Sequence, residues 1–431
     1  MKYWKREFKY NRKKGGKEMR GSRMKRLIRL LSVLAILILC SSPIWAKEVD
    51  VITIGTLLPT TGALSPLGIN AKNGCDLAAM EINEAGGIKS LRGAKIKIIH
   101  GDSEGKADTG ISVTERLIKQ EGVTACLSGP QSGVTFATTQ ISEKYQIPHI
   151  VTGSVADEIT RRGFKYVFRT LPDATGWSLA QIDIINYMRK KGHKIQNIAF
   201  LYEDTLWGQG QAKVWREKKG DLNIVGDLRY AHGTSDLSVT IAKLKAAKPD
   251  VVLICSYVSD AILMTKTMFE LDFNCQAILT SGAGQEDPLF YQNVKELSEN
   301  IIIVTLYSED LKNPQVKKTT QKYEKIFNRS MASHSSGGYA GIYILADALE
   351  RAASAEPKKV REALAGTNLC SGPALMIPVN CVKFDETGQI QMTPTQVQWI
   401  EGKKLPVFPP DMAIREPVWP MPTWKERGLK K

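Results

Sequence analysis

The stretch that decides the fold is VTACLSGPQSGVTFATTQ, Val123 to Gln140. It begins as a short apolar run and ends in a helix-like pattern. Between them, SGPQSG (Ser128–Gly133) is a turn of small residues and an amide, with no His, Lys, Asp or Glu. A strand that ends in such a turn and opens a helix is one unit of an α/β fold. In open parallel sheets, ligands sit beyond the carboxyl ends of the strands, where this turn lies. Its backbone N–H groups and the Ser132 hydroxyl can hold a carboxylate at a helix start, with Gln131 beside them. The same residues also serve as an ordinary helix cap, and the two roles are compatible.

The pattern repeats along the chain from Asp50. Short β-branched runs such as VITIGTLL, AKIKIIHG, NIAFLYED, DVVLICSY, CQAILTSG and NIIIVTLY each neighbour a helical pattern. In AKNGCDLAAMEINEAGG, the residues Ala71, Cys75, Ala78, Ile82 and Ala85 share one helical face, and Gly86 and Gly87 stop the helix. This alternation predicts parallel sheets covered on both faces by helices. A length of 431 residues suits two such lobes rather than one core. FRTLPDATGW (168–177) and VTLYSEDLKNP (304–314) are the expected crossings between lobes, with a third near CSGPALMIPVNCVKFDETG (370–388). The expected division is 1–46 as a basic extension and export signal, 47–170 with 305–372 as lobe one, and 171–304 with 373–431 as lobe two and a Pro/Trp-rich tail.

The net charge of +15 is unevenly spread. Residues 1–46 hold 13 Lys and Arg against 2 acidic residues, leaving only +4 for the remainder. That balance argues against a nucleic-acid partner. Met24–Arg29 reads as a basic n-region, followed by the apolar run LLSVLAILILC and by SSPIWA before a cut after Ala46. Eleven apolar residues are too few to span a bilayer. Met1–Arg23 reads as a misassigned start or a long n-region. Export implies an oxidising compartment, here the periplasm. Cys370 and Cys381 flank a Gly/Pro-bearing loop that a local disulfide can close, although spacing alone does not fix the pairing.

Other strand ends resemble the first. HIVTGSVADEIT carries Thr152, Gly153 and Ser154, while YEDTLWGQG and ICSYVSD place Trp207 and Tyr257 at strand ends of the second lobe. Small polar donors facing aromatic side chains form a common small-ligand site, although Trp207 and Tyr257 also read as packing residues. The five histidines are scattered, and no metal, nucleophile or phosphate motif occurs. GQGQAK (208–213) lacks the third glycine of a dinucleotide fingerprint. No cofactor is expected. An exported enzyme and a purely structural envelope protein are the rival readings. Turnover of a bound ligand marks the first, and a lack of ligand stabilisation the second.

In order along the chain, ITIGTLLPTTGALSPLG, GCDLAAMEINEAGGI, HGDSEGKADTGISVTERLI, LSGPQSG, HIVTGSVADEIT, FRTLPD, YEDTLWGQG, VVLICSYVSD and GGYAGIYILADAL resemble the periplasmic leucine/isoleucine/valine-binding family of ABC transporters. The resemblance implies a type I periplasmic binding protein: two doubly wound parallel-sheet lobes, three crossovers and a ligand cleft between the lobes. By position, it implies that Ser132 meets the ligand carboxylate. Gly153 and Ser154 would hold the polar head, and Trp207 and Tyr257 would be cleft aromatics. Leu67 stands where some members have Tyr. Gly282 falls where amino-acid-binding members carry an acidic partner for the α-ammonium, and Val155 replaces a frequent Thr. Those two departures shift the expected ligand from amino acid toward another small carboxylate or amide, aromatic acids included, unless Glu286, Glu203 or Asp204 substitutes. The implied partners are that small molecule and the permease subunits of an inner-membrane ABC importer, with the chain itself a monomer. A sensing module of the same fold is the alternative.

Overall fold

A computed structural model describes residues 49–429 apart from Lys312; the extension and export signal read at 1–46 lie outside the described residues. Five strands, β1 (Val51–Leu58), β2 (Lys95–Asp102), β3 (Ala125–Ser128), β4 (His149–Val151) and β5 (Val167–Arg169), form one wholly parallel sheet in the order β2-β1-β3-β4-β5. β3 and β4 are buried along their whole length, as expected of strands covered on both faces. The helices Ser65–Glu84, Ala107–Lys119 and Ser132–Lys144 connect these strands.

The second sheet begins with β6 (Asn197–Glu203), β7 (Asn223–Tyr230), β8 (Val251–Cys255), β9 (Ala277–Thr280) and β10 (Ile302–Thr305), again parallel. A short antiparallel pair, β11 (Asn368–Leu369) and β12 (Val382–Lys383), brackets the loop closed by a disulfide between Cys370 and Cys381. The chain then adds β13 (Thr395–Ile400) and β14 (Lys403–Phe408) antiparallel at the edge, giving the order β14-β13-β10-β9-β8-β6-β7. Both sheets are thus parallel as expected, with an antiparallel hairpin added at one edge of the second. β13 and β14 are joined by a two-residue turn, Glu401-Gly402, with φ of 51° and 74°. A hairpin can only lay its strands antiparallel.

The chain crosses between sheets after β5, where the helix Ala174–Lys190 packs Ile182 and Ile185 with Ile198 and Phe200. It returns after β10, where Val316 and Tyr323 of the helix Pro314–Phe327 join Ile52 and Ile54 in the core of the first sheet. Ala374, Met376, Ile377, Val382 and Ile390 still belong to that first core. The third crossing thus follows Ile390, later than the boundary at 372 read from the sequence. The apolar disulfide loop docks on the first lobe before the chain leaves. The tail is anchored on the second lobe: Trp424 donates to the Phe273 carbonyl at 2.6 Å and packs with Met268 and Phe290.

Arg169 ties two crossings together. It is fully buried, and its Nε donates to Gln389 Oε1 at 2.6 Å, Nη1 to the Ala156 carbonyl at 2.7 Å and Nη2 to Thr160 Oγ1 at 2.9 Å. The backbones join as well, Arg169 N–H to the Gly388 carbonyl and Ile390 N–H to the Arg169 carbonyl. Burial pushes the guanidinium down to about 10, so it stays charged at neutral pH. The donors reach the segment 153–156, so this tie also shapes the loop that carries Gly153.

Candidate functional site

Several strand ends and helix starts converge on one cleft. From the first lobe come Pro130, Ser132, Thr152, Gly153 and Val155. Trp177, Trp207, Tyr257, Ser281 and Glu286 come from the second, and Ser333 and His334 from the start of the helix Ser333–Ala352. Gly153 permits this convergence. A Cβ there would stand 3.0 Å from His334 Cδ2 and 3.1 Å from Pro130 Cα, too close on both sides.

Ser132 opens its helix, and Gln131 at the N-cap gives no side-chain hydrogen bond to the first turn. Backbone N–H groups at such a start attract an anion through local donors and the helix dipole. The Ser132 hydroxyl accepts from Ala156 N–H at 3.3 Å and holds the 153–156 loop against the helix. The start of the helix Leu206–Lys218 is different. Thr205 and Glu203 cap it, with Glu203 Oε1 accepting from Gly208 N–H at 2.7 Å. That is why Trp207 contributes an aromatic ring rather than an anion site.

Trp207 and Tyr257 lie with ring centroids 4.9 Å apart, tilted by 58°. Tyr257 also meets the His232 ring at 4.7 Å. Asp260, buried, accepts from His232 Nδ1 at 2.7 Å and holds the imidazole above its usual range. Burial drives the Tyr257 phenol far above its ordinary value, so it stays protonated. Burial also lowers the titration of His334, favouring the neutral ring in the cleft.

Glu286 is the acidic group of the cleft, 2% exposed. Its Oε1 accepts from Ser333 N–H at 3.0 Å, and the hydroxyls of Ser333 and Thr305 close on the same oxygen. The start of the helix Ser333–Ala352 thus solvates a carboxylate that has no ion pair among the described residues. Its Oε2 lies 3.5 Å from where a side chain at Gly282 would begin. Lys404 Nζ donates to the Glu286 carbonyl at 2.8 Å, fixing the loop from the hairpin side.

Of the residues read from the sequence, Ser132, Gly153, Trp207 and Tyr257 line the cleft. Four do not. The Ser154 hydroxyl turns to Thr135 Oγ1 at 2.8 Å, within a buried network that reaches His149 through Ser128. Leu67 is buried in an apolar cluster with Leu64 and Val155. Gln131 lies over Gly105. Gly282 has φ +70° and packs against Trp177, so its glycine serves the turn and the close fit. Of the candidate acidic substitutes, Glu203 is used up at the helix start. Asp204 is exposed and accepts from His232 N–H at 3.1 Å, and only Glu286 reaches the cleft. Trp177, Ser333 and His334 carried no signal in the sequence, because each follows an irregular loop whose direction is set by tertiary packing.

Two sheets facing a cleft of helix starts form an architecture suited to holding a solute. The periplasmic binding protein family model matches residues 51–404, and the chain belongs to that family, as a type I member of its leucine/isoleucine/valine-binding group. The Leu/Ile/Val-binding protein homolog 7 of Brucella suis biovar 1 (strain 1330) is 30% identical over 384 residues, covering 85% of this chain and 93% of that protein. Among solved structures, the branched-chain amino acid transporter substrate binding protein LivJ of Streptococcus pneumoniae, in complex with isoleucine, superimposes with a TM-score of 0.72 at 24% identity, covering 82% of this chain and 97% of that one. A solute binding protein of an ABC transporter from Rhodopseudomonas palustris BisB5, in complex with 3,4-dihydroxybenzoic acid, gives 0.72 at 21% identity, covering 82% and 95%.

Proposed function

We propose that this chain is the extracytoplasmic solute-binding component of an ABC importer and that its ligand is a small zwitterionic amino acid. The observation that carries the ligand class is Glu286, a buried carboxylate without a cationic partner, in the same cleft as the open start of the helix Ser132–Lys144. An ammonium belongs at the first and a carboxylate at the second. An uncompensated buried charge costs several kcal/mol, so a cleft built this way selects a compensating cation. The sequence reading leaned away from amino acids because Gly282 is not acidic. Glu286, four residues on, supplies the carboxylate instead.

Capture proceeds by hinge closure. The ligand carboxylate docks at Ser132 and the neighbouring N–H groups, and the second lobe closes with Trp207 and Tyr257. Moving a closed population from 1:99 to 99:1 needs roughly 5.5 kcal/mol of differential binding. Two to four charge-assisted hydrogen bonds, at about 1.5–3 kcal/mol each, supply that. The closed form then presents its ligand to membrane permease subunits. The relatives that bind isoleucine and 3,4-dihydroxybenzoic acid bracket the ligand class. The aromatic lining favours the second, and Glu286 opposes any acid without an ammonium.

The test is a thermal-shift screen over L-amino acids, their amides and benzoates, followed by calorimetry on the hits. Amino acids should stabilise the wild type, and Glu286→Gln should lose that response by a hundredfold or more in affinity. Stabilisation by benzoates alone, unchanged in Glu286→Gln, would remove the amino-acid reading.

A further inference from the structure

Buried indoles among the described residues differ in how their N–H groups are used. In the core, Trp215 Nε1 donates to Gln181 Oε1 at 2.9 Å, Trp399 to the Gln285 carbonyl at 3.0 Å and Trp424 to the Phe273 carbonyl at 2.6 Å. In the cleft, Trp177 and Trp207 are 5% and 6% exposed, and neither Nε1 has a partner among the described residues. The Tyr257 hydroxyl beside them stands near Thr205 without a well-formed hydrogen bond. Trp419, in the tail, is a third unpaired indole, and it does not line the cleft.

Buried indole and phenol groups ordinarily find acceptors, because a stranded donor forfeits its hydration. Three of the orphan donors, Trp177 Nε1, Trp207 Nε1 and the Tyr257 hydroxyl, belong to residues that line one cleft. On the zwitterion reading, the ligand carboxylate is already served at Ser132 and the ammonium at Glu286. The wall of Trp177, Trp207 and Tyr257 is left for the remainder of the ligand. A hydrocarbon side chain would cover these donors and pair none of them. We infer that the ligand carries a hydrogen-bond acceptor on its side chain, of the neutral kind found in an amide or an ether, and is not a branched hydrocarbon amino acid.

The acceptor is neutral because nothing in the lining would balance a second negative charge. Among the described residues no Lys or Arg lines the cleft, and His334 is held toward its uncharged form by burial. Glu286 adds a negative charge of its own. The inference rests on the amino-acid reading above, and it narrows that reading to a subclass.

Near-isosteric pairs test it: L-asparagine against L-leucine, and L-glutamine against 2-amino-5-methylhexanoate, titrated by calorimetry into the intact chain. In at least one pair the amide should bind tenfold tighter or more than its hydrocarbon partner. That advantage should shrink by at least half its logarithm in Trp177→Phe or in Trp207→Phe. Near-UV circular dichroism and urea midpoints check that each variant keeps the fold, and the wild-type comparison stands without them. Equal or tighter binding of the hydrocarbon members overturns the inference and leaves the amino-acid reading intact. An amide preference unchanged in both folded variants overturns it too. No binding by any of the four removes the amino-acid reading itself, and the inference with it.

Discussion

Asn70 and Asp287 join the two lobes directly: Asn70 Nδ2 donates to Asp287 Oδ2 at 3.0 Å across 217 positions of sequence. Asn70 lies on the helix Ser65–Glu84, and Asp287 starts the helix Pro288–Val294, where its other oxygen accepts from Leu289 N–H. Both residues are buried, and burial raises the Asp287 carboxyl above its usual range. The adjacent Glu286 makes the parallel contact to Ser333, so one short loop holds both lobes.

Asn70→Ala should therefore weaken the closed form. It leaves a buried acceptor short of one donor, at about 1–3 kcal/mol. The dissociation constant should rise roughly tenfold, each 1.4 kcal/mol counting as one decade. Small-angle scattering should show a larger radius of gyration at the same ligand concentration. An unchanged affinity and radius would mean that the contact is incidental.

Arg169→Met should destabilise the whole fold rather than the site alone. The methionine fills part of the volume but leaves Gln389 Oε1, the Ala156 carbonyl and Thr160 Oγ1 short of donors. A loss of about 3 kcal/mol or more is expected from stranded buried acceptors, read as a lower urea midpoint. Arg169→Lys should recover less than half of it, since one ammonium cannot span three directions.

His232 gives a pH dependence of definite sign. The hydrogen bond that His232 donates to Asp260 raises the imidazole above its usual 6.5, burial opposes it, and Glu203 and Asp204 add to it. A raised folded value means that the native chain binds the proton more tightly than the unfolded one. This stabilisation is complete below about 6.5 and fades as pH climbs through the folded value. The melting temperature should fall over that window in the wild type, and less steeply in His232→Gln. Equal slopes in the two proteins would contradict the linkage.

The Cys370–Cys381 bridge closes a loop across 11 positions. Loop-closure entropy for a ring of that size gives about 3 kcal/mol at 25 °C. Cys370→Ser with Cys381→Ser should lower unfolding stability by about that amount. Ligand affinity should stay within twofold, because the bridge lies on the first lobe away from the cleft. A reducing agent should mimic the double variant in the wild type alone.

Much of this architecture could be read in the sequence because its signals are local. Alternating β-branched runs and amphipathic helices marked both sheets, and polar or aromatic strand ends led to Ser132, Gly153, Trp207 and Tyr257. What escaped depended on direction. Ser154 sits beside Gly153 but faces the hydroxyl of Thr135, since neighbouring residues in an extended loop point opposite ways. Glu286 was within sight, yet the turn at Gly282 decides where it points. The late third crossing was hidden for a similar reason: Met376 and Ile377 look like tail residues until the first core is seen to need them.

Binding Arg169 to Gln389 has a mechanical corollary. Two of the three strands that link the halves cannot slide past one another, so they behave as a single pivot pin. A tie of this kind opposes shear more than rotation, so it favours one swing over a loose wobble. On the hinge closure proposed above, each capture would end in the same jaw-like shape, the one outline a permease would have to recognise.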